Sequence, residues 1–415
     1  MPTILPLRRA LVPVDSAAAE RISAPNYDEF QGDREIFQAL RERPDNILRI
    51  TMAHCAVDRP EAILRQDSPE ALERAAANLR DLEGGSLTRA VNDVLFVYEI
   101  DDPHRPGVRQ VGLGGMAATA DIRTGERPDG PVIRNEGIRE EKAEGRARLV
   151  ERIGAFIGTV NLVVDDDAGR LHAALLEHAD AAPESFRATD QRGCTHRVWL
   201  VSDRARVDAL RALVANEPRA YVADGNHRSA AAAMLGLEGY LAVFFPAATM
   251  GLAPYNRLVE GPRLPRDELL PLLEESFEVQ TLAGVEAFQP AVTHEIGLYA
   301  EGTWHRLTPR PGSFDPMSAV ETVDADIVQR RLFADVLGIA DARDGRLTFV
   351  GGDRDALYLE RRVDAGEFAY AVTLAPVTMD QFIAVCRQGA LMPPKSTWFQ
   401  PKLRMGLVMA LLDET

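Results

Sequence analysis

"RAYVADGNHRSAAAAMLGL", Arg219 to Leu237, is the stretch whose reading decides the fold. "AYVA" is a short apolar run of strand length. Asp224-Gly225 is a turn pair, and "HRSAAAAMLG" is rich in the strongest helix former and stops at Gly236. Strand, turn and helix on consecutive residues are the repeating unit of a mixed α/β or α+β protein. The junction also carries an acid, a glycine, an amide, an imidazole and a guanidinium in a row. A helix start offers unbonded amides and a partial positive charge, so it attracts anions. Gly225 allows a phosphate to approach the backbone, and Arg228 can grip its oxygens in pairs. Gly225, Asn226, His227, Arg228 and Ser229 are therefore candidate phosphate-binding residues. Asp224 is placed either to carry a metal or accept a proton, or simply to cap the helix.

Other segments repeat the alternation. Strand-like runs occur at 93–100, 158–164, 196–201, 239–245, 294–300 and 368–375, with helical spacing at 68–82, 140–156, 203–215 and 323–338. "VEGPRLPRDE" (259–268) reads as a boundary between a region 1–260, which carries the phosphate motif, and a C-terminal α/β region 261–415. "VGLGG" (111–115) lacks the spacing of a dinucleotide loop and reads as a turn or a bulge in a strand. "VDDDAGR" (164–170) reads as a solvated turn capping a helix.

The 415 residues are 46% hydrophobic and 27% charged, with a net charge of -16. That balance suits a soluble globular chain and disfavours nucleic-acid partners, which select basic surfaces. No apolar run of membrane length occurs, and Arg8 and Arg9 follow the first apolar residues instead of preceding them. The expectation is a cytoplasmic protein without membrane attachment. Cys55, Cys194 and Cys386 make no zinc or disulfide spacing and read as reduced structural thiols. His54, His104, His172, His178 and His305 show no ligand spacing to one another.

The 225–228 stretch resembles the phosphate-binding turn of the ParB/sulfiredoxin superfamily. Sulfiredoxins carry Gly-Cys-His-Arg there; Asn226 replaces that nucleophilic cysteine, which excludes their chemistry. Free-serine kinases of the superfamily carry Asp-Gly-His-His-Arg, matched by Asp224 to Arg228 except at Asn226. More narrowly, the whole chain is similar to the domain of unknown function 1015 family. The resemblance rests on "ISAPNYDEF" (22–30), "YNRLV" (255–259), "FVGGDRD" (349–355) and above all "MPPKSTWFQPKLRMGL" (392–407). "RNEGIREEKAEGR" (134–146) keeps Glu136, Arg139, Lys142 and Arg146 of a further family segment, with Asn135 in place of a histidine.

The resemblance implies a ParB/sulfiredoxin-like core with additional α/β elements. It also implies a kinase moving a phosphoryl group from ATP, ADP or pyrophosphate, with Mg²⁺, to free serine or a similar hydroxyl compound. Glu136 is the candidate base and Asp224 the candidate catalytic and metal-binding acid. Arg139, Lys142 and Arg146 share one helix face and are candidates for binding substrate, together with His196, Asn256, Arg257, Lys395, Ser396, Thr397 and Trp398. On this reading Arg228→Ala impairs donor binding and leaves apo stability nearly unchanged. The partner is a small molecule, and a homodimer is left open. The rival class is a non-catalytic nucleotide- or amino-acid-binding regulator.

Overall fold

The computed structural model describes residues 1–412. The backbone groups into two compact units. One holds Met1–Arg134, Ile138–Met250 and the residues from Pro401 onward; the other holds Asn135–Gly137 and Gly251–Gln400. The contiguous division at 260/261 drawn from the sequence differs from this grouping, because 135–137 join the second unit and the C-terminal stretch returns to the first.

The first unit is built on a mixed 12-stranded sheet. Ala220–Asp224 lies inside it, parallel to Val132–Arg134 on one side and antiparallel to Val160–Val164 on the other. Val160–Val164 then pairs parallel with Gly239–Pro246, which runs antiparallel to Arg109–Ala118. Beyond it come Thr88–Asp101, Leu7–Pro13 and, from the far end of the chain, Met409–Leu411. Central strands are largely apolar, as burial on both faces requires: Val160–Val164 and Gly239–Pro246 are buried at every residue.

Helix boundaries follow their capping chemistry. Ser68 accepts from Ala71 N at the start of Pro69–Gly84, and Asp203 accepts from Arg206 N at the start of Arg204–Ala215. Gly154, at φ +63°, ends Glu140–Ile153 in the left-handed conformation. The acidic turn at 164–170 does cap its helix. Asp166 receives the amides of Leu171 at 3.0 Å and His172 at 2.9 Å.

The glycines of 111–115 are neither a turn nor a bulge. They lie in the unbroken strand Arg109–Ala118, in continuous register with Thr88–Asp101. The reason is close packing: a Cβ on Gly114 would sit 2.1 Å from the Phe96 ring, and one on Gly112 2.7 Å from the Phe245 ring.

The second unit has a six-stranded sheet in the order Phe277–Leu282, Thr303–Pro309, Ile296–Ala300, Tyr370–Leu374, Asn256–Val259, Leu347–Val350. Every pairing in it is antiparallel. Among the described residues no helix is long and apolar enough to cross a membrane. The chain is thus a mixed α/β protein.

Candidate functional site

The motif folds as its residue types dictate. Ala220–Asp224 is a strand, Gly225 turns at φ +98°, and Asn226–Met234 is a helix. The strand shifts register at its end, so that Ala223 is an extra residue and Asp224 comes to face Asn161 of the neighbouring strand. Such bulges re-aim side chains next to functional sites. Only glycine suits position 225. Its φ is left-handed, and a Cβ there would meet Arg228 Nε at 3.0 Å and Val160 Cα at 3.2 Å.

The functional groups of the turn are tied together. Arg228 donates from Nη2 to Asp224 Oδ2 at 3.0 Å, and from Nη1 to the Thr159 carbonyl at 2.5 Å and to Asn26 Oδ1 at 3.4 Å. Lys402 Nζ lies 3.7 Å from the same Asp224 oxygen. The Arg228 guanidinium is therefore an ion-pair partner of Asp224, the arrangement in which its removal is expected to cost apo stability. The reason is the i,i+4 geometry across the turn, which folds the side chain back onto Asp224. Asn226 is buried, and Ser229 Oγ donates to the Asn226 carbonyl at 3.0 Å, so the hydroxyl closes the helix start. His227 Nε2 accepts from the Arg139 amide at 3.1 Å, 88 residues away, and joins the motif to the N-cap of Glu140–Ile153. With Nε2 accepting, the neutral ring carries its proton on Nδ1.

That second helix packs on the motif helix and carries Lys142, Arg146 and Arg148. Lys142 and Arg146 line a cavity of about 580 Å³, together with Arg65, Arg148, Asp67 and Glu141. Its size suits a nucleotide-scale ligand. Arg65 and Arg148 both reach Asp67, at 2.7 and 2.9 Å. The hydrogen bond from Arg65 is the main influence holding the Asp67 carboxyl down at about 2. Arg146 stacks over the Tyr27 ring with 4.0 Å between guanidinium carbon and centroid. Tyr27, Thr51, Arg146 and Leu149 also form part of a narrower apolar recess that runs to Asn26, Gly158 and Arg228. The cationic cavity and the motif turn are therefore neighbours in the same unit.

In the second unit, Glu136 forms a parallel bridge with Met392, whose amide donates to the Asn135 carbonyl at 2.9 Å. Asn135 Nδ2 donates to Thr397 Oγ1 at 3.4 Å. The segments 135–137 and 392–397 thus lie together. Ser396 Oγ donates to the Pro393 carbonyl at 2.7 Å, which shapes the loop. Trp398 is buried edge-on to Tyr255, with ring centroids 5.2 Å apart. Lys395 Nζ lies 5.6 Å from the Tyr255 centroid. Arg257 is buried and donates to the Lys395 carbonyl at 3.2 Å; burial pulls its guanidinium down to about 10. Asn256 is buried as well, accepting from Leu374 N at 3.0 Å and donating to Gln289 at 2.9 Å. Glu136, Lys395 and Thr397 are the partly exposed members of this cluster.

His196 is away from both clusters. It is sealed in the core of the first unit, with Nδ1 2.9 Å from Tyr98 Oη and Nε2 3.3 Å from Asp190. Tyr98 Oη accepts in turn from the amide of Arg404, whose guanidinium binds Ser23. His196 therefore belongs to a network that clamps 401–405 to the sheet. Residues that the sequence did not single out are Lys402, Arg65, Arg148, Asn26 and Tyr27. Lys402, Asn26 and Tyr27 stood inside quoted motifs. Arg65 and Arg148 carried no sequence signal.

Asp224 is a poor fit to a divalent metal. The carboxylate oxygen Oδ2 already faces Arg228 and Lys402, and among the described residues no cluster of three ligand-type side chains includes Asp224. A cation there would meet two others, so no step is assigned to a metal at this position.

The chain belongs to the family described as "Protein of unknown function (DUF1015)", whose profile matches residues 4–332. No curated protein matches it. Among solved structures it is similar to a free serine kinase in complex with AMP, at 12% identity and TM-score 0.36, covering 65% of this chain and 83% of that one. It is also similar to SbnI with C-terminal truncation from Staphylococcus aureus, at 11% identity and TM-score 0.36, covering 69% and 82%. A conserved hypothetical protein from Pyrococcus furiosus matches at 12% identity and TM-score 0.35, covering 65% and 87%. At these values the likeness assigns neither a reaction nor a ligand.

Proposed function

We propose that this protein is a small-molecule phosphotransferase whose first unit holds the phosphoryl donor, a nucleotide or pyrophosphate, in the cationic cavity beside the Gly225 turn. One observation carries the reading. In a chain of net charge -16, a cavity of about 580 Å³ gathers Arg65, Lys142, Arg146 and Arg148 against only Asp67 and Glu141. Cations concentrated in an acidic protein select an anion, and a cleft focuses their field on it. Phosphoryl transfer needs this kind of neutralisation and alignment more than covalent help. The sequence resemblance of Asp224 to Arg228 to the turn of free-serine kinases supports the same reading, with free serine or a similar hydroxyl compound as acceptor.

In the reaction the acceptor oxygen forms a bond to the terminal phosphorus. The bridging oxygen–phosphorus bond of the donor breaks, and the donor fragment leaves with the electron pair. On the sequence resemblance alone, Glu136 is the residue assigned to take the hydroxyl proton. Incubation with ATP, ADP or pyrophosphate and pooled amino acids, followed by phosphorus NMR, tests the proposal: a new phosphomonoester resonance is expected. Glu136→Gln should abolish that resonance while leaving donor affinity within about twofold, since it removes a proton acceptor and no charge of the cavity.

One observation favours a second reading. Asn135 and Asn226 stand where the family pattern has histidines, and both are buried. A protein without those titrating groups suits a nucleotide- or amino-acid-binding regulator. Donor binding by calorimetry with no phosphomonoester from any acceptor would establish that reading instead.

A further inference from the structure

Asp33, His54 and Cys55 sit apart from everything assigned above. One ligand atom from each, a carboxylate oxygen, a ring nitrogen and the thiol sulfur, lie within 4.8 Å of one another. Among the described residues this is the only such group of three. His54 and Cys55 are consecutive on the short 3-10 turn Ala53–Cys55, and Asp33 opens the helix Asp33–Glu42. His54 is 1% exposed and Cys55 fully buried, while the Asp33 side chain is half exposed.

The bonding around His54 is half complete. Nε2 lies 3.2 Å from Asp33 Oδ1, whereas Nδ1 is buried without a partner among the described residues. Buried imidazoles ordinarily satisfy both nitrogens. The ring is therefore not locked by a second hydrogen bond and can present a nitrogen to a ligand. The Cys55 thiol shares the Asp33 carboxylate; burial, reinforced by that carboxylate, pushes it up to about 12.

We infer that Asp33, His54 and Cys55 form a binding site for one divalent transition-metal ion of the zinc type. Thiolate and imidazole select borderline-soft metals, while magnesium and calcium demand oxygen ligands. Charge balance supports the choice. A thiolate, a carboxylate and a neutral imidazole sum to two negative charges, so a divalent ion leaves a neutral centre where an isolated charge would be costly. Binding forms metal–sulfur, metal–nitrogen and metal–oxygen bonds, and the sulfur proton leaves to solvent. Three protein ligands, of which Asp33 is the half-exposed one, leave a fourth position for water. The site adjoins the cationic cavity through Thr51 and Ala53, but it does not rest on the phosphotransferase reading.

The full chain, stripped with chelator and titrated with Co²⁺, provides the test. One equivalent should bind and give the near-ultraviolet charge-transfer absorption of a thiolate–cobalt bond, and Zn²⁺ should bleach it. Cys55→Ser should abolish the band with the circular-dichroism spectrum unchanged; Cys194 and Cys386 then serve as internal controls. If Cys55→Ser does not fold, Asp33→Asn decides: it changes only the half-exposed ligand and should weaken Co²⁺ binding at least tenfold. No band in the wild-type chain, a band retained in folded Cys55→Ser, or unaltered affinity in Asp33→Asn overturns the site.

Discussion

Two residues have consequences that can be measured directly. Arg228 holds Asp224, Asn26 and the Thr159 carbonyl at once, from a side chain only 13% exposed. Arg228→Ala should lower apo stability by about 2 kcal/mol in denaturant titration, because it removes the 3.0 Å ion pair to Asp224 across the turn. Unchanged stability would return Arg228 to the role of a free anion receptor. Asp324 is the second. It is buried, its carboxylate accepts from the His294 amide at 3.0 Å, and desolvation lifts its carboxyl from 3.8 to about 7. Below 3.8 the group is protonated folded and unfolded, so the full stability is present. As pH rises toward 7 the unfolded chain releases the proton while the folded chain keeps it, and stability falls until the folded group ionises too. The loss amounts to as much as about 4 kcal/mol. Asp324→Asn removes it, so the stability of the wild-type chain relative to the variant should decline between pH 4 and 7. Parallel pH profiles for the two proteins would disprove the assignment.

At the scale of elements, the helix Glu140–Ile153 supplies two cations of the proposed anion site. It turns Lys142 and Arg146 toward the cavity and lets its N-cap amide meet His227. Arg146→Ala removes one cation and the stacking on Tyr27, and should weaken nucleotide or pyrophosphate binding about tenfold to a hundredfold in calorimetry. The affinity that remains should depend less steeply on salt, since fewer charges face the ligand. The basic face of this helix was legible as i, i+4 spacing. That Arg65, from a loop 81 residues before Arg146, joins it was not, because no local pattern encodes which loop approaches a helix.

At the scale of the whole molecule, the C-terminal stretch from Pro401 is part of the first unit. Lys402 meets Asp224, Arg404 binds Ser23, and Met409–Leu411 pairs with Leu7–Pro13. A chain ending at Gln400 loses a strand from inside the sheet, the buried Arg404 from Ser23 and the partly buried Lys402 from Asp224. It should show no cooperative thermal transition for the first unit, read by circular dichroism, and no donor binding. Retention of both would mean that 401–412 is dispensable.

The sequence by itself determined the local architecture: apolar strands, capped helices, and the strand–turn–helix at 219–237. These depend on side-chain periodicity and backbone freedom within a few residues, which the chain order states outright. Gly225 is the clearest case, since its left-handed φ is a property of one residue. Tertiary structure alone decided which polar groups are bound into the fold and which face a cavity. His196, Asn256 and Arg257 are as polar in the sequence as Lys142 and Arg146, yet the sheets bury them among partners. Asp33 meets Cys55, and Lys402 meets Asp224, only once the chain is folded. Those pairings come from long-range packing, where burial makes a missing partner costly and so selects the neighbour, a constraint that no spacing along the chain records.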